Sequence, residues 1–236
     1  MNKEIAILMA AGLGTRMEPL TQKVPKPAVK VFGKPMIETV IDALLRRGVG
    51  KIYIVCGYKK EKLYYLADKY KNVIFIENTE YRIKNNISSI YAAADVMGNE
   101  NCFICEADLY VSDSEILADT PDNSCYFGKM VQGYSGDWVF DLGTDGFITR
   151  VGKCGTDAYN MVGISYFLAE DAKLIADAIR ESYEHPGHEG LYWDDVVNSI
   201  LGKLKLTVHP VRAGQITEID TVAELAAVDP DYEKYN

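Results

Sequence analysis

The chain has 236 residues, 48% of them hydrophobic, enough to fill the core of one large α/β unit. Its 34 acidic and 25 basic residues leave a net charge of −9, which argues against a general nucleic-acid binder, a class that presents a basic face. No run of about 18 apolar residues is present, so no membrane span is expected, and the short apolar N-terminal run lacks an export cleavage site, so a cytoplasmic location is expected.

In chain order, residues 4–10 form a continuous apolar run, the pattern of a strand covered on both faces. Residues 35–47 place Met36, Ile37, Val40, Ile41, Leu44 and Leu45 on one helical face, with Pro35 suited to the first turn and Gly48 to the position after the last. A strand is predicted over 51–57, a helix over 60–70, a strand over 73–78, a helix over 85–97 with an asparagine as its cap, and an apolar strand over 102–108. This alternation predicts a parallel sheet wrapped by helices, with any ligand bound beyond the carboxyl ends of the strands. Beyond residue 110 the regularity drops. Strands are predicted in "CYFGKMV", "DWVFDLG", "FITRVG", "MVGISYFLA" and "KLTVHPV", and helices over 170–183, 192–204 and 221–228. Thr221 and Glu224 have the spacing of a capping box at the start of the last helix. Cys102 and Cys105 form a C-x-x-C, but in a buried strand residues three apart face opposite sides, so they read as packed free thiols. His185 and His188 lie in a Pro/Gly loop without a third ligand and are not read as a zinc site.

The segment "AAGLGTRMEPLTQKVPKP", residues 10–27, leaves the first strand. Gly12 and Gly14 let backbone approach a ligand closely and adopt positive φ, and amides in such a turn converge on phosphate oxygens. Arg16 offers a planar fork and Lys26 a point charge, both suited to phosphate. Pro19, Pro25 and Pro27 stiffen the path that carries Lys26. A Walker A loop is excluded because no G-K-[ST] follows, and a dinucleotide fingerprint because Met17 stands where the third glycine belongs.

Residues 8–44 together resemble the signature of the sugar-nucleotide and phosphocholine nucleotidyltransferases, G-x-G-T-R-x-x-P-L-T-x-x-x-P-K-P followed by G-K-P and a helix. The resemblance implies a Rossmann-like, mixed but mostly parallel sheet flanked by helices, with a small lid region. It implies one nucleotidyltransferase domain over 1–236, with residues 1–110 as the nucleotide-binding half and 111–236 as the acceptor-binding half. In that family the glycine loop cradles base and triphosphate, which assigns nucleotide contacts to Ala10, Ala11, Gly12, Gly14, Thr15 and Arg16, and phosphate contacts to Arg16 and Lys26. Hexose-phosphate members carry a G-T-A segment near residue 87. Here "KNNISSIYAA" stands instead, similar to the bacterial CTP:phosphocholine cytidylyltransferases. Asn85, Asn86 and Ser88 become candidates for base and ribose.

The second half matches the same branch in "EADLYV", "GDWVFD", "GLYWDDVV" and "ITEIDTVAEL". Nucleotidyl transfer joins anions, so a divalent metal is expected. The resemblance assigns Mg²⁺ to Asp108 and Asp220, of which Asp220 read alone equally suits a helix cap. Glu106 and Glu218 lie two residues before these aspartates, on the same side of an extended segment. Trp138, Tyr192 and Trp193, with Asp194 or Glu218 nearby, are candidates for an aromatic box around a cationic acceptor, with core packing as the alternative and Trp193 leaning to packing.

The catalytic set is thus read as Lys26, Arg16, Asp108 and Asp220, the substrates as CTP and a small phosphorylated or phosphonylated amine. Phosphocholine is the first choice of acceptor and 2-aminoethylphosphonate, used by a sister group, the alternative. A sugar-1-phosphate nucleotidyltransferase and a non-catalytic nucleotide sensor stand behind these, the sensor disfavoured by a full transfer set. The oligomeric state stays open.

Overall fold

The computed structural model describes residues 4–235. The first half runs β1 (Glu4–Ala10), β2 (Lys30–Val31), β3 (Lys34–Pro35), α1 (Met36–Arg47), β4 (Lys51–Cys56), α2 (Tyr65–Lys69), β5 (Val73–Glu77), α3 (Ile87–Ala93), β6 (Asn101–Glu106) and β7 (Leu109–Val111). The second runs β8 (Cys125–Leu142), β9 (Ile148–Phe167), α4 (Ala169–Tyr183), α5 (Trp193–Ser199), β10 (Thr207–Pro210), β11 (Ile216–Glu218) and α6 (Val222–Val228).

Seven strands form one sheet in the order β10-β8-β9-β6-β1-β4-β5. The β6-β1-β4-β5 block and the β10-β8 pair are parallel, while β9 runs antiparallel to both β8 and β6. This is the mixed, mostly parallel sheet that the resemblance implies. Side chains alternate along β1: Ala6, Leu8 and Ala10 enter a core with α1, while Ile5 and Ile7 enter the opposite one with α3, α4 and α5. The α1 stripe Ile37, Val40, Ile41 and Leu44 is fully buried, and Gly48 ends the helix in the left-handed region at φ 92°. Cys102 and Cys105 fall in the two different cores as free thiols.

The sheet also joins early and late segments through a buried cation. The Arg47 guanidinium, on α1, donates to both oxygens of Glu4 at 2.7 and 2.8 Å and to the carbonyls of Leu117 and Asp119 at 2.7 Å. It lies over the rings of Phe103 and Tyr166, from β6 and β9. Removing one partner from a buried pair of this kind costs roughly 3–5 kcal/mol.

Several predicted boundaries differ from the structure. The helix expected over 60–70 splits into a 3₁₀ turn, Lys60–Lys62, and the five-residue α2. Leu63 and Leu66 are fully buried there and Tyr70 packs partly against the same core, too little to hold a longer helix. The helix over 85–97 is α3 followed by a 3₁₀ turn, and neither asparagine caps it with its side chain. Asn86 Oδ1 instead accepts from the Trp193 amide at 3.0 Å. The helix over 192–204 ends at Ser199, and a 3₁₀ turn around Gly202 follows. "CYFGKMV" and "DWVFDLG" prove to be one strand, β8, and "FITRVG" and "MVGISYFLA" one strand, β9. The segments between them break the ladder with repeated register shifts, and Val139 and Phe140 pair both with Gly152 and Val151 and with Asn160 and Tyr159, so the long strands fold back on themselves where the sequence places turns. The capping box of α6 forms as expected: the Thr221 hydroxyl accepts from the Glu224 amide at 3.2 Å, and Glu224 accepts from the Thr221 amide at 2.8 Å.

Candidate active site

The chain passes from β1 to β4 and β5 on one side, then returns to β6 on the other side of β1. At such a switch the loops after β1 and β6 diverge and leave a crevice at the carboxyl ends of the strands. A cavity of about 650 Å³ opens there. Its walls include Ala10, Ala11, Gly12, Gly14, Thr15, Arg16 and Lys26 from the loop after β1, Asn85, Asn86 and Ser88 from the start of α3, and Glu106 and Asp108 from the end of β6. Trp138, Tyr192, Asp194, Glu218 and Asp220 come from the second half.

Of the two glycines expected to adopt positive φ, only Gly14 does. Gly14 has φ 65°, and a Cβ there would stand 2.8 Å from Lys26 Cβ and 3.1 Å from Thr21 Cγ2. Glycine is therefore required so that the loop can fold back on the 3₁₀ turn carrying Lys26 (Lys26–Ala28). Gly12 does not have a positive φ, and a Cβ there would meet nothing within 4 Å. Its lack of a side chain leaves room on the cavity side for something to approach the backbone.

Lys26 is the centre of the site. Its Nζ donates to Asp108 Oδ2 at 2.5 Å and to Asp220 Oδ1 at 2.6 Å. Burial opposes the charge of the Lys26 ammonium, but Asp108 and Asp220 outweigh it and its pKa is raised above the usual lysine value. Asp220 also accepts from Arg16 Nη2 at 2.8 Å. Its backbone amide donates to Glu224 at 2.8 Å, so the cap of α6 fixes the residue the sequence singled out. Two aspartates 112 positions apart thus meet on one cation that is itself only 10% exposed.

Around this cation acidic groups are crowded. Oxygens of Glu106, Asp108 and Glu218 all lie within 4.8 Å of one another. Glu106 is enclosed, and burial followed by the charges of Glu218 and Asp108 pushes its pKa well above the usual carboxylate range. Glu218 is open to the cavity on one side and surrounded by protein on the others. That enclosure, with Asp108 and Asp220 beside it, pushes its pKa up to about 8. Asp108 Oδ1 is buried without a hydrogen-bond partner among the described residues. An orphaned carboxylate oxygen within a cluster of three acids has the chemistry of a divalent-cation site with hard oxygen ligands. This cluster contains Asp108 but draws on Glu106 and Glu218, while Asp220 is turned to Lys26 and Arg16.

The nucleotide-side candidates are ordered by each other. Ser88 Oγ donates to the Asn85 carbonyl at 2.8 Å and accepts from Asn78 Nδ2 at 2.9 Å. The Asn85 amide nitrogen Nδ2 reaches the Gly190 carbonyl at 3.3 Å. At the other end, Trp138 and Tyr192 form an aromatic corner, with ring centroids 5.3 Å apart and planes at 68°. Trp193 does not join it. It is 3% exposed and packs against Tyr126 and Phe167 from the first position of α5, while Tyr192 precedes the helix with extended backbone. The assignment of Trp193 to the acceptor is therefore corrected to core packing. Asp194 is 2% exposed and accepts from the Tyr126 hydroxyl at 3.0 Å. Burial raises its pKa to about 7 despite that donated hydrogen bond, and neighbouring Asp195 adds to the rise. His188 packs on Tyr183 and turns Nδ1 to the His185 carbonyl, away from any metal geometry.

Tyr81, Lys84, Asp137, Lys153, Met161 and Gly163 also line the cavity and were not singled out from the sequence. Lys153 stands opposite Trp138 across the β8–β9 ladder, a pairing hidden by the bulges that shift the register on either side.

A glycine loop with a buried lysine, two facing aspartates and a polar cavity at the switch point define a phosphoryl-handling enzyme of the nucleotidyltransferase class. Residues 5–121 match the Nucleotidyl transferase family. The chain belongs to that family. It is 56% identical to a 2-aminoethylphosphonate cytidylyltransferase of Lancefieldella rimae, over 98% of this chain and 94% of that one. It is 32% identical to a choline-phosphate cytidylyltransferase of Streptococcus pneumoniae, over 93% and 94%. The solved structure of the CTP:phosphocholine cytidylyltransferase from Streptococcus pneumoniae superimposes with a TM-score of 0.89 at 30% identity, covering 98% of this chain and all of that one. A glucose-1-phosphate thymidylyltransferase-like structure from Bacillus anthracis shares the fold at a TM-score of 0.77 and 19% identity.

Proposed function

We propose that this chain transfers CMP from CTP to 2-aminoethylphosphonate and releases pyrophosphate. The observation that carries the acceptor is the 56% identity, across nearly the whole chain, to a relative named for that reaction. This reverses the order of the two acceptors expected from sequence, where phosphocholine came first. The acceptor end of the cavity agrees. With Trp193 in the core, two rings make a corner rather than a closed cage, and Asp137, Asp194 and Glu218 line the same cavity. A primary ammonium is recognised by carboxylates through its three N–H donors, whereas a quaternary one depends on aromatic faces.

In the proposed reaction a phosphonate oxygen of the acceptor attacks the α-phosphorus of CTP. The new P–O bond forms as the bond from the α-phosphorus to the bridging oxygen breaks, and pyrophosphate carries that electron pair away. The attacking oxygen is already anionic at neutral pH, so no protein base is required. Lys26, held charged between Asp108 and Asp220, and Arg16 at the cavity mouth offset negative charge on the phosphoryl group and the leaving pyrophosphate. Gly12, Gly14 and Thr15, with Ala10 and Ala11, supply the wall along which the triphosphate lies, and Asn85, Asn86 and Ser88 the wall for base and ribose. Asp108, with Glu106 and Glu218 or with Asp220, is the set that would hold Mg²⁺, which when bound supplies Lewis-acid neutralisation of phosphoryl oxygens. The rest is positioning.

A pyrophosphate-release assay across the four nucleoside triphosphates, with 2-aminoethylphosphonate, phosphocholine and hexose 1-phosphates as acceptors, tests the reading. The highest kcat/KM is expected for CTP with 2-aminoethylphosphonate. A higher value for phosphocholine would return the acceptor to the first sequence choice, and CTP binding without pyrophosphate release under any pairing would make the chain a sensor.

A further inference from the structure

We propose that Lys153 sets the acceptor preference by guarding the aromatic corner against quaternary ammonium groups. This rests on the acceptor reading given above and adds to it the residue that enforces the choice. Lys153 is the cross-strand partner of Trp138, and its side chain extends across the corner. Its Nζ stands 5.0 Å from the Tyr192 ring centroid and 5.8 Å from that of Trp138. One lysine thus addresses both of the candidate box rings that the structure leaves facing the cavity.

The backbone that carries Lys153 is clamped. Arg150 Nη1 donates to the Lys153 carbonyl at 3.2 Å and Nη2 to the Cys154 carbonyl at 2.9 Å. Arg150 is itself gripped by both oxygens of Asp141, at 2.5 and 3.0 Å. Cys154 follows with φ 65°, in the left-handed region, and Lys153 lines the cavity.

The consequence differs for the two kinds of acceptor. A trimethylammonium has no N–H and gains most from open aromatic faces, which are the faces Lys153 covers with a charge of the same sign. A primary ammonium has three donors and can bind carboxylates instead. Asp137, adjacent to Trp138, lines the cavity and uses one oxygen, Oδ2, on Asn160 Nδ2 at 3.1 Å. A carboxylate has acceptor capacity beyond one such bond. Lys153 therefore competes with a quaternary head for its main attraction and leaves a primary head its own.

The test compares kcat/KM for 2-aminoethylphosphonate and for its N,N,N-trimethyl derivative, which differ only in the methyl groups, in the unaltered enzyme, Lys153→Met and Lys153→Arg. The unaltered enzyme should prefer the primary amine. Lys153→Met should shrink that preference by about tenfold, the size expected from freeing one or two ring faces. Lys153→Arg, which keeps a cation over the rings, should retain it. Lys153→Gln provides the same comparison if the methionine variant does not fold. An unchanged preference in the uncharged variant, with the unaltered enzyme still favouring the primary amine, would overturn the role of Lys153 and leave the acceptor reading intact. Preference of the unaltered enzyme for the trimethyl compound would overturn both.

Discussion

Lys26 shows what a single side chain gains from its place in the fold. A lysine this buried would ordinarily lose its proton more readily, but the two aspartates that accept from its Nζ raise its pKa instead. The pairing favours its charged form. Asp194 shows the opposite case. Its pKa rises from the ordinary 3.8 to about 7, burial being the largest cause. The folded chain then holds a proton that the unfolded chain releases at lower pH. Between these two values the folded state binds more protons than the unfolded, so this group's contribution to stability is present below pH 4 and is lost as pH rises through about 7. Urea unfolding of Asp194→Asn and the unaltered protein at several pH values checks this. The variant should gain relative stability steadily from about pH 4 to pH 7 and hold a constant difference above that, since an asparagine keeps the acceptor for Tyr126 but has no proton to lose. Parallel pH profiles would remove the assignment. Neither residue's environment could be read from the sequence, because it depends on contacts as distant as Tyr126 with Asp194 and Lys26 with Asp220.

Among elements, the loop after β1 was the most legible. Its glycines, prolines and cations are contiguous, and the structure places Gly14, Arg16 and Lys26 on one cavity wall. Gly14→Ala tests the part of that reading that geometry makes firm. A left-handed residue with a side chain costs about 1–2 kcal/mol, and here the added methyl also meets Lys26 Cβ at 2.8 Å. A stability loss of at least this size, with a weakened KM for CTP as the turn bearing Lys26 shifts, is expected from thermal unfolding and steady-state kinetics. Unchanged values in both would show that the loop tolerates a side chain. The elements around β8 and β9 were the least legible. Local signals such as Gly133, Gly136 and Gly155 are the same whether a chain turns or bulges, and only pairing with a distant partner decides. The same limit hid Lys153. At the start of α5 the adjacency of Tyr192 and Trp193 was visible in the sequence, but Tyr192 precedes the helix with extended backbone and faces the cavity, while Trp193 opens the helix and packs in the core.

For the whole molecule, the alternation of strands and helices was enough to predict the sheet and the position of the site beyond its strand ends. It was not enough to predict that β9 enters antiparallel between β8 and β6, which brings Met161 and Gly163 to the cavity. That insertion closes the second half onto the first, and Arg47 ties both to β1. The net charge of −9 then has a local meaning. The cavity concentrates acids around one buried lysine, so an incoming triphosphate meets positive charge only at Lys26, Arg16 and the other lysines of its wall. The account stands on Lys26 acting on the phosphoryl group rather than merely holding two aspartates together. Its most direct test is the rate of a single turnover of CTP with 2-aminoethylphosphonate by Lys26→Met, alongside circular dichroism to confirm the fold and a direct measurement of CTP affinity. The account predicts a rate lower by about 10²–10³-fold, with far less change in CTP affinity, as expected for a charge that matters most in the transition state. A folded Lys26→Met that transfers CMP at close to the unaltered rate would contradict it.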